Sequence, residues 1–437
     1  MPVDAPAAAP PTVLASAERL KLLLYGGALL LLLNLAAPYG GLIGLPVTFF
    51  LKNKLHLQAH ELAQFNLWVG APLYLSFVFG LLRDRWSPSG AGDRGHLVLF
   101  GATTAAIYAV LAFAGPTYAT LLAGLLVATA SIQIVWSAVN GLVAAIGQQH
   151  LMAGQVSTGL NIGITLGALA SLLLGGMFSD LLEGQDAAAA ARTLFLVAGA
   201  LMAAIALLGV RGPRRLFTAF TAERPARASL GGDVARLLRH WPIYPALLIQ
   251  FLWQLGPASG TPLQYHLANT LHASDTQVGE FAAISFGALV PTYVLYGFLC
   301  QKVRLSRLMW LATIVAVPQA IPLLFIHSVG AALLAAIPMG LAGGLAQAAF
   351  LDLAIRSCPK GLQGTMMMLV TTMYWMAGRF GDVLGTDLYD HHGGFLTAVL
   401  VSIPINALIL PVLLLAPRSL IDTADGEARA ETDPAVR

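Results

Sequence analysis

The chain has 437 residues, 57% of them apolar and 10% charged, with a formal net charge of +3 and a mean hydropathy of +0.75. A soluble domain carries about 25% charge, so this chain has too few ionised side chains to coat a water-facing surface, and its small positive balance is no nucleic-acid footprint. Its two cysteines, Cys300 and Cys358, exclude a disulfide framework and read as reduced structural thiols.

Residues 1–19 are rich in Pro and Ala, lack the basic start of a cleaved signal peptide, and read as a loose tail. A helix needs about 20 apolar residues to cross the hydrocarbon. By that measure there are twelve spans. The first six run over roughly 20–51, 61–82, 96–114, 117–147, 153–181 and 191–210, and fill a first bundle, 20–210. The second six run over roughly 243–271, 276–300, 306–326, 329–356, 361–388 and 394–416, and fill a second bundle, 243–416. Several are longer than the bilayer is thick, which implies tilt.

Between the bundles lies the basic linker 211–242, with Arg211, Arg214, Arg215, Arg224, Arg227, Arg236 and Arg239. Arg83, Arg85, Arg94, Lys302, Arg304, Arg307, Arg356 and Lys360 fall on the same side of the membrane, against Lys52, Lys54 and Arg192 on the other. The positive-inside rule then places the linker and both termini in the cytoplasm. Residues 417–437, charged from Ser419 onward and without an apolar period, are expected to be disordered.

The two bundles repeat one another. Gly44, Pro46, Leu51, Asn53, Leu55, His56 and Phe65 recur 216 residues later as Gly260, Pro262, Leu267, Asn269, Leu271, His272 and Phe281. Further on, Gly154, Leu174, Gly175 and Asp180 match Gly364, Leu384, Gly385 and Asp390 at an offset of 210. Duplication of a six-helix unit, with the halves in one orientation about an axis along the membrane normal, accounts for both offsets if a short deletion separates them.

The turn after the second span reads Gly80-x-x-x-Asp84-Arg85. It resembles the signature of the major facilitator superfamily. The second half carries a degraded copy, Gly297-x-x-x-Gln301-Lys302, in which a neutral Gln replaces the acid, and the continuation after Arg85 departs from the family pattern. A fainter similarity to folate–biopterin transporters lies at Cys358-Pro359-Lys-Gly361-Leu-Gln363-Gly-Thr, where Gln363 stands for that family's Glu. The resemblance implies alternating access about a central site and a functional monomer. It also implies a gating role for Gly80, Asp84 and Arg85, with Asp84 capping a neighbouring helix N-terminus and pairing with basic residues to hold the outward-facing state. A solvated loop acid is the alternative.

Polar side chains inside a membrane face protein or a wet cavity. Gln133, Trp136, Ser137 and Asn140 share a face of the fourth span, and Ser157, Asn161 and Thr165 one of the fifth. Gln250, Trp253 and Gln254 share a face of the seventh, and Thr371, Tyr374, Trp375, Gly378, Arg379 and Asp382 one of the eleventh. These faces line a solute cavity, or else hydrogen-bond neighbouring helices. Arg379 grips an acidic solute in a two-pronged way, pairs with Asp382, or does each in alternation. His266, Glu280, Asp352 and Asp382 are the proton-coupling candidates. Against that role, Asp352 can clasp Arg356, Glu280 can be a dipole-stabilised surface acid, and His266 an interfacial side chain.

No Walker loop is present, so no ATP drive is expected within the chain. His391 and His392 beside Asp387 and Asp390 read as an exposed polar loop; no metal, cofactor or enzyme chemistry is expected. The sequence therefore reads as an all-α membrane protein of two pseudo-symmetric six-helix bundles. Its expected activity is secondary active transport of a small solute. The drive is a proton or a substrate gradient, a proton symporter being one form. An anionic or aromatic, folate- or pterin-like solute is the runner-up reading within transport, and the membrane is expected to be a bacterial inner membrane. The alternative is a non-transporting membrane helper that binds a pigment, a lipid or a membrane protein on the same scaffold.

Overall fold

A backbone in hydrocarbon has to satisfy its own hydrogen bonds, so each apolar run becomes a helix. The computed structural model describes residues 14–184, 186–212 and 229–427, and among them the regular structure is helical throughout. The first span is Ser16–Ala36 followed, after a break, by Gly41–Asn53; the second is Ala59–Tyr74 and Ser76–Arg85. Asp93–Ala114, Tyr118–Gln149, Ala153–Glu183 and Ala187–Arg211 complete the first half. The seventh span breaks into Ile243–Gln254, Thr261–Tyr265 and a π turn, His266–Thr270. Asp275–Leu299 is the eighth, and the ninth is Leu305–Ala316 running into the 3-10 turn Val317–Phe325. Val329–Arg356 and Gln363–His391 are the tenth and eleventh, and Gly394–Ala407 with Ile409–Leu413 the twelfth.

Ten of these runs are long and apolar enough to cross a membrane on those grounds alone. The seventh falls short because its helix stops at the Leu255–Gly260 break, and the eleventh because its polar face, with Gln363, Thr371, Thr372, Tyr374 and Arg379 and then Asp382, Asp387 and Asp390, keeps it too polar. Both belong to the bundle by packing.

The duplication is visible in backbone detail. His56 and His272, 216 residues apart, both adopt the left-handed conformation, with φ of 53° and 54°. Each ends its helix with the same bond, from Leu57 N to Leu51 O at 3.1 Å and from Ala273 N to Leu267 O at 2.9 Å. The next helix opens each time with a capping box, Gln58 with Glu61 and Ser274 with Gln277. A Cβ added at Gly175 would collide with the Gly41 carbonyl, and one at Gly385 with that of Pro257. Glycine is required at both places because the fifth and eleventh spans lie directly on the breaks of the first and seventh.

One apolar core runs through both halves and includes Val139 and Val143 from the first and Ala348 and Met366 from the second. The second half keeps a separate cluster around Leu267, Phe281, Ala336 and Phe395. One end of the bundle, the motif face, carries Gly80–Arg85 and residues 149–153, 300–305 and 356–363. The far face carries the opposite turns.

Of the basic linker, residues 213–228 lie outside the described residues, as do residues 1–13 of the N-terminal tail. The described part includes the helix Leu230–Arg239, capped by Ser229 Oγ, which accepts from Gly232 N at 3.1 Å. The expectation of a disordered tail from 417 onward does not hold for residues 417–427. Arg418–Ile421 is helical, and Asp425 is buried against the fifth, eighth and tenth spans. Charge reads as disorder only when it stays solvated, and here a buried arginine and free backbone amides take it up. Residues 428–437 lie outside the described residues.

Candidate functional site

One face of the eleventh span meets the first half at successive helical turns. From the motif face inward, Asn140 Nδ2 approaches Met368 Sδ at 4.0 Å, and Phe77 N donates to Thr372 Oγ1 at 3.3 Å. Next, the Tyr39 and Trp375 rings meet edge-on with centroids 5.8 Å apart, and Arg379 Nε donates to the Tyr74 hydroxyl at 3.1 Å. Tyr374 stands against Trp375, edge to face at 5.5 Å. Arg379 is the seventeenth residue of its helix, so it stands ~24 Å from the motif face at 1.5 Å per residue.

Arg379 has few close partners of its own. Its side chain is 60% exposed, and its nearest approach to Asp382 is 4.0 Å, the outer limit of an ion pair. Asp382 is already engaged. Its carboxylate accepts from Thr261 N at 2.8 Å and from Thr261 Oγ1 at 3.1 Å, capping the short helix after the seventh-span break. The guanidinium thus keeps one close partner, Tyr74 through Nε, and stands one helical turn from Trp375.

The other expected cavity residues divide. Gln133 is buried, accepts from Ser76 Oγ at 3.1 Å and lies 3.5 Å from the Tyr39 hydroxyl, directly beneath the aromatic group. Trp136 is half-buried and packs on the shared core. Ser137 Oγ donates to its own helix at Ile134 O, and Asn161 Nδ2 to Ser157 O. Ser157 Oγ donates to Ala348 O at 2.7 Å and so fastens the fifth span to the tenth. Trp253 Nε1 and Gln254 Nε2 both donate to Gln347 Oε1, at 2.9 and 3.3 Å, while Gln250 is buried beside them. The fifth- and seventh-span faces therefore spend most of their polar groups on helix packing.

Among the proton-coupling candidates, Asp352 is fully buried near the motif face, where it accepts from Tyr296 Oη at 2.8 Å and from Arg356 Nε at 2.8 Å. His266 stacks on Phe395 with centroids 4.3 Å apart, and Glu280 is exposed in the first turns of the eighth span. Asp382 alone of the four stands beside Arg379. Among the described residues no group of three His, Cys, Asp or Glu is arranged to hold a metal.

At the motif face, Asp84 is buried and spans the two halves. Its carboxylate accepts from Gly364 N at 3.2 Å and from Thr365 N and Oγ1, both at 2.6 Å. These are the first free amides of the eleventh span, where the helix dipole favours an anion. Arg83 pairs with Asp84 at 2.6 Å and grips Asp93 through Nε and Nη2. An added Cβ at Gly80 would stand 2.6 Å from Gly364 O, so only glycine lets the two backbones meet. Arg85 pairs with Asp233 of the linker helix at 2.8 Å. In the second half, Gln301 turns back to donate to Gly297 O at 2.7 Å and makes no such crossing.

Comparison with known proteins gives a consistent set of relatives. The profile of the Major Facilitator Superfamily matches residues 28–381. A folate-biopterin transporter of Synechocystis sp. is 25% identical over 417 residues, covering 90% of this chain and 81% of that one. The fold is similar to that of the proton:xylose symporter XylE, with a TM-score of 0.67 and 13% identity over 92% of this chain and 96% of that one. It is equally similar to FucP in the outward conformation, with a TM-score of 0.67 and 13% identity over 90% and 98%. At such identities these two likenesses concern the fold alone.

Proposed function

The chain belongs to the major facilitator superfamily, an integral-membrane transporter family, and from that premise we propose that it carries a small, flat, anionic solute by alternating access. The observation that carries this reading is the exposed guanidinium of Arg379, bonded across the halves to Tyr74 through Nε alone and one helical turn from Trp375, whose ring meets Tyr39 and Tyr374. A carboxylate fits the two-pronged edge of arginine, and a planar ring fits the aromatic faces. Folate- and pterin-like compounds combine both features, in keeping with the 25% identical relative. Asp382 is the acid nearest Arg379, so in a proton-coupled cycle it is the group through which solute and proton compete.

In the same reading the motif face is cytoplasmic, as the arginine distribution favours, and the membrane is a bacterial inner membrane. The contacts of Asp84 with the eleventh span hold the motif face closed, and the site is open toward the far face. The protein works as a monomer. Thermal melting of the purified protein against a panel of pterins, folates, other aromatic acids and neutral sugars tests the proposal, because a ligand that prefers the folded state raises the melting temperature. Stabilisation by aromatic acids that disappears in Arg379→Ala is expected. Equal stabilisation of both proteins, or a response to sugars alone, overturns the proposal.

A further inference from the structure

The second-half signature lacks an acid, yet an acid occupies the corresponding place in the fold. Asp425 accepts from Gly154 N at 3.2 Å and from Gln155 N at 2.9 Å, at the N-terminus of the fifth span. Gly154 and Gln155 precede Gly364 and Thr365, the amides held by Asp84, by the 210 residues of the repeat. One carboxylate thus crosses from the first half to the eleventh span, and another from the C-terminal segment to the fifth. The segment is anchored on the second half by Arg356 Nη1, which donates to Leu420 O at 3.2 Å and Thr423 O at 3.0 Å. Leu305 N donates to Thr423 O at 3.2 Å and Asp425 N to Cys300 O at 2.9 Å. Toward the first half, Gly426 N donates to Leu151 O at 2.7 Å.

We propose that residues 417–427 are a latch between the halves, in which Asp425 replaces the acid missing from the second-half signature and leaves the fifth span before the motif face opens. The proposal rests on the alternating-access reading above. Asp84 lies within a spanning helix of its own half, whereas Asp425 belongs to a short segment outside the spans, held only by the bonds just described.

The latch is also tuned by charge. Asp425 shares Arg356 with Asp352: Arg356 Nη2 reaches Asp425 at 3.0 Å and Nε reaches Asp352 at 2.8 Å. The eighth span contributes the Cys300 thiol, 3.6 Å from Asp425, and the Tyr296 hydroxyl, which is held by Asp352. The fifth span offers its backbone amides. Burial first, and then the neighbouring Asp352, push the Asp425 carboxyl up to about 6. A released Asp425 in water returns to about 3.9. The docked segment therefore holds a proton more tightly than the free one. Docking is strongest at pH 4 and weakens as pH rises through 6, by on the order of 100-fold at the limits.

Spin labels test this in the full chain, in a Cys300→Ser, Cys358→Ser background reconstituted in nanodiscs. One pair, Lys21→Cys with Asp422→Cys, places both labels at exposed sites and reads the segment against the first half. A second pair, Lys21→Cys with Lys302→Cys, reads the separation of the halves. With the first pair we expect one short distance at pH 5 and a growing longer population at pH 8. Asp425→Asn, which removes the charge but keeps an acceptor, should stay docked at both pH values, and Asp425→Ala should be released at both. A segment distance indifferent to pH overturns the proposal even if the alanine variant does not fold. So do halves that separate while the segment stays docked. If no solute from the panel ever changes the second pair, the transport reading fails, while the first pair still reports the docking on its own.

Discussion

Replacing Asp84 by alanine should move the protein toward the state open at its motif face. The substitution removes three acceptor contacts at the start of the eleventh span, from Gly364 N, Thr365 N and Thr365 Oγ1. Loss of a helix cap costs about 0.5–2 kcal/mol, and hydrogen bonds to a charged group are worth about 1.5–3 kcal/mol. Arg83 is not stranded, because Asp93 still holds two of its nitrogens. The cost of about 3–5 kcal/mol for breaking a buried ion pair is therefore a ceiling. A shift of about 2–3 kcal/mol changes the ratio of the two states roughly 30- to 150-fold. Asn140 lies just inside this contact, so a cysteine there reports the opening. Its modification by an impermeant maleimide, applied to the motif face in inside-out vesicles of a Cys300→Ser, Cys358→Ser background, should accelerate by that factor. Asp84→Asn should fall between the two. Acceleration of less than about threefold in a folded Asp84→Ala protein would refute the reasoning, since that corresponds to under about 0.7 kcal/mol.

Gly80→Ala should act in the same direction, because its Cβ would meet backbone atoms at 2.6 and 2.7 Å that cannot turn aside; a cost of about 1–3 kcal/mol should appear in the same maleimide assay. Gln347→Ala leaves Trp253 Nε1 and Gln254 Nε2 without their shared acceptor; the loss of about 1–3 kcal/mol should lower the melting temperature and move Trp253 emission to the red. His240, between the linker helix and the seventh span, has its pKa lowered by burial despite a hydrogen bond to the Ser357 backbone. The native fold therefore resists its protonation, and stability falls as pH drops below about 6.5. Melting curves at pH 5 and 7.5 should show that loss shrink in His240→Gln, opposite in sign to the effect of Asp425.

The sequence carries the two bundles because hydropathy and a 216-residue echo are both long-range averages that survive local detail. His56 and His272 show how far the echo reaches, down to a shared left-handed turn. The first-span break at residues 37–40 and the seventh-span break at 255–260 coincide with Gly40-Gly41 and Gly256-Pro257, so they too leave a mark. What composition does not reveal is the partner. Asp382 looks like a mate for Arg379 at helical spacing, but Thr261, distant in sequence, takes its oxygens. Ser137 and Asn161 share polar faces yet bond within their own helices. Tyr39, Tyr74 and Gln347 carry no periodic signal that separates them from ordinary core or interfacial residues. Asp425 sits in a charged stretch that reads as solvated, and only Arg356 together with the fifth-span amides accounts for its burial.

Uptake into proteoliposomes of the aromatic acid that most raises the melting temperature, in wild type and in Arg379→Ala, tests the central claim most directly. Loss of charge-assisted hydrogen bonds worth about 1.5–3 kcal/mol predicts initial uptake at sub-saturating solute reduced about 10- to 150-fold by the substitution. Arg379→Lys should recover only part of it, because an ammonium lacks the planar fork. Uptake in Arg379→Ala within a factor of two of wild type would contradict the account.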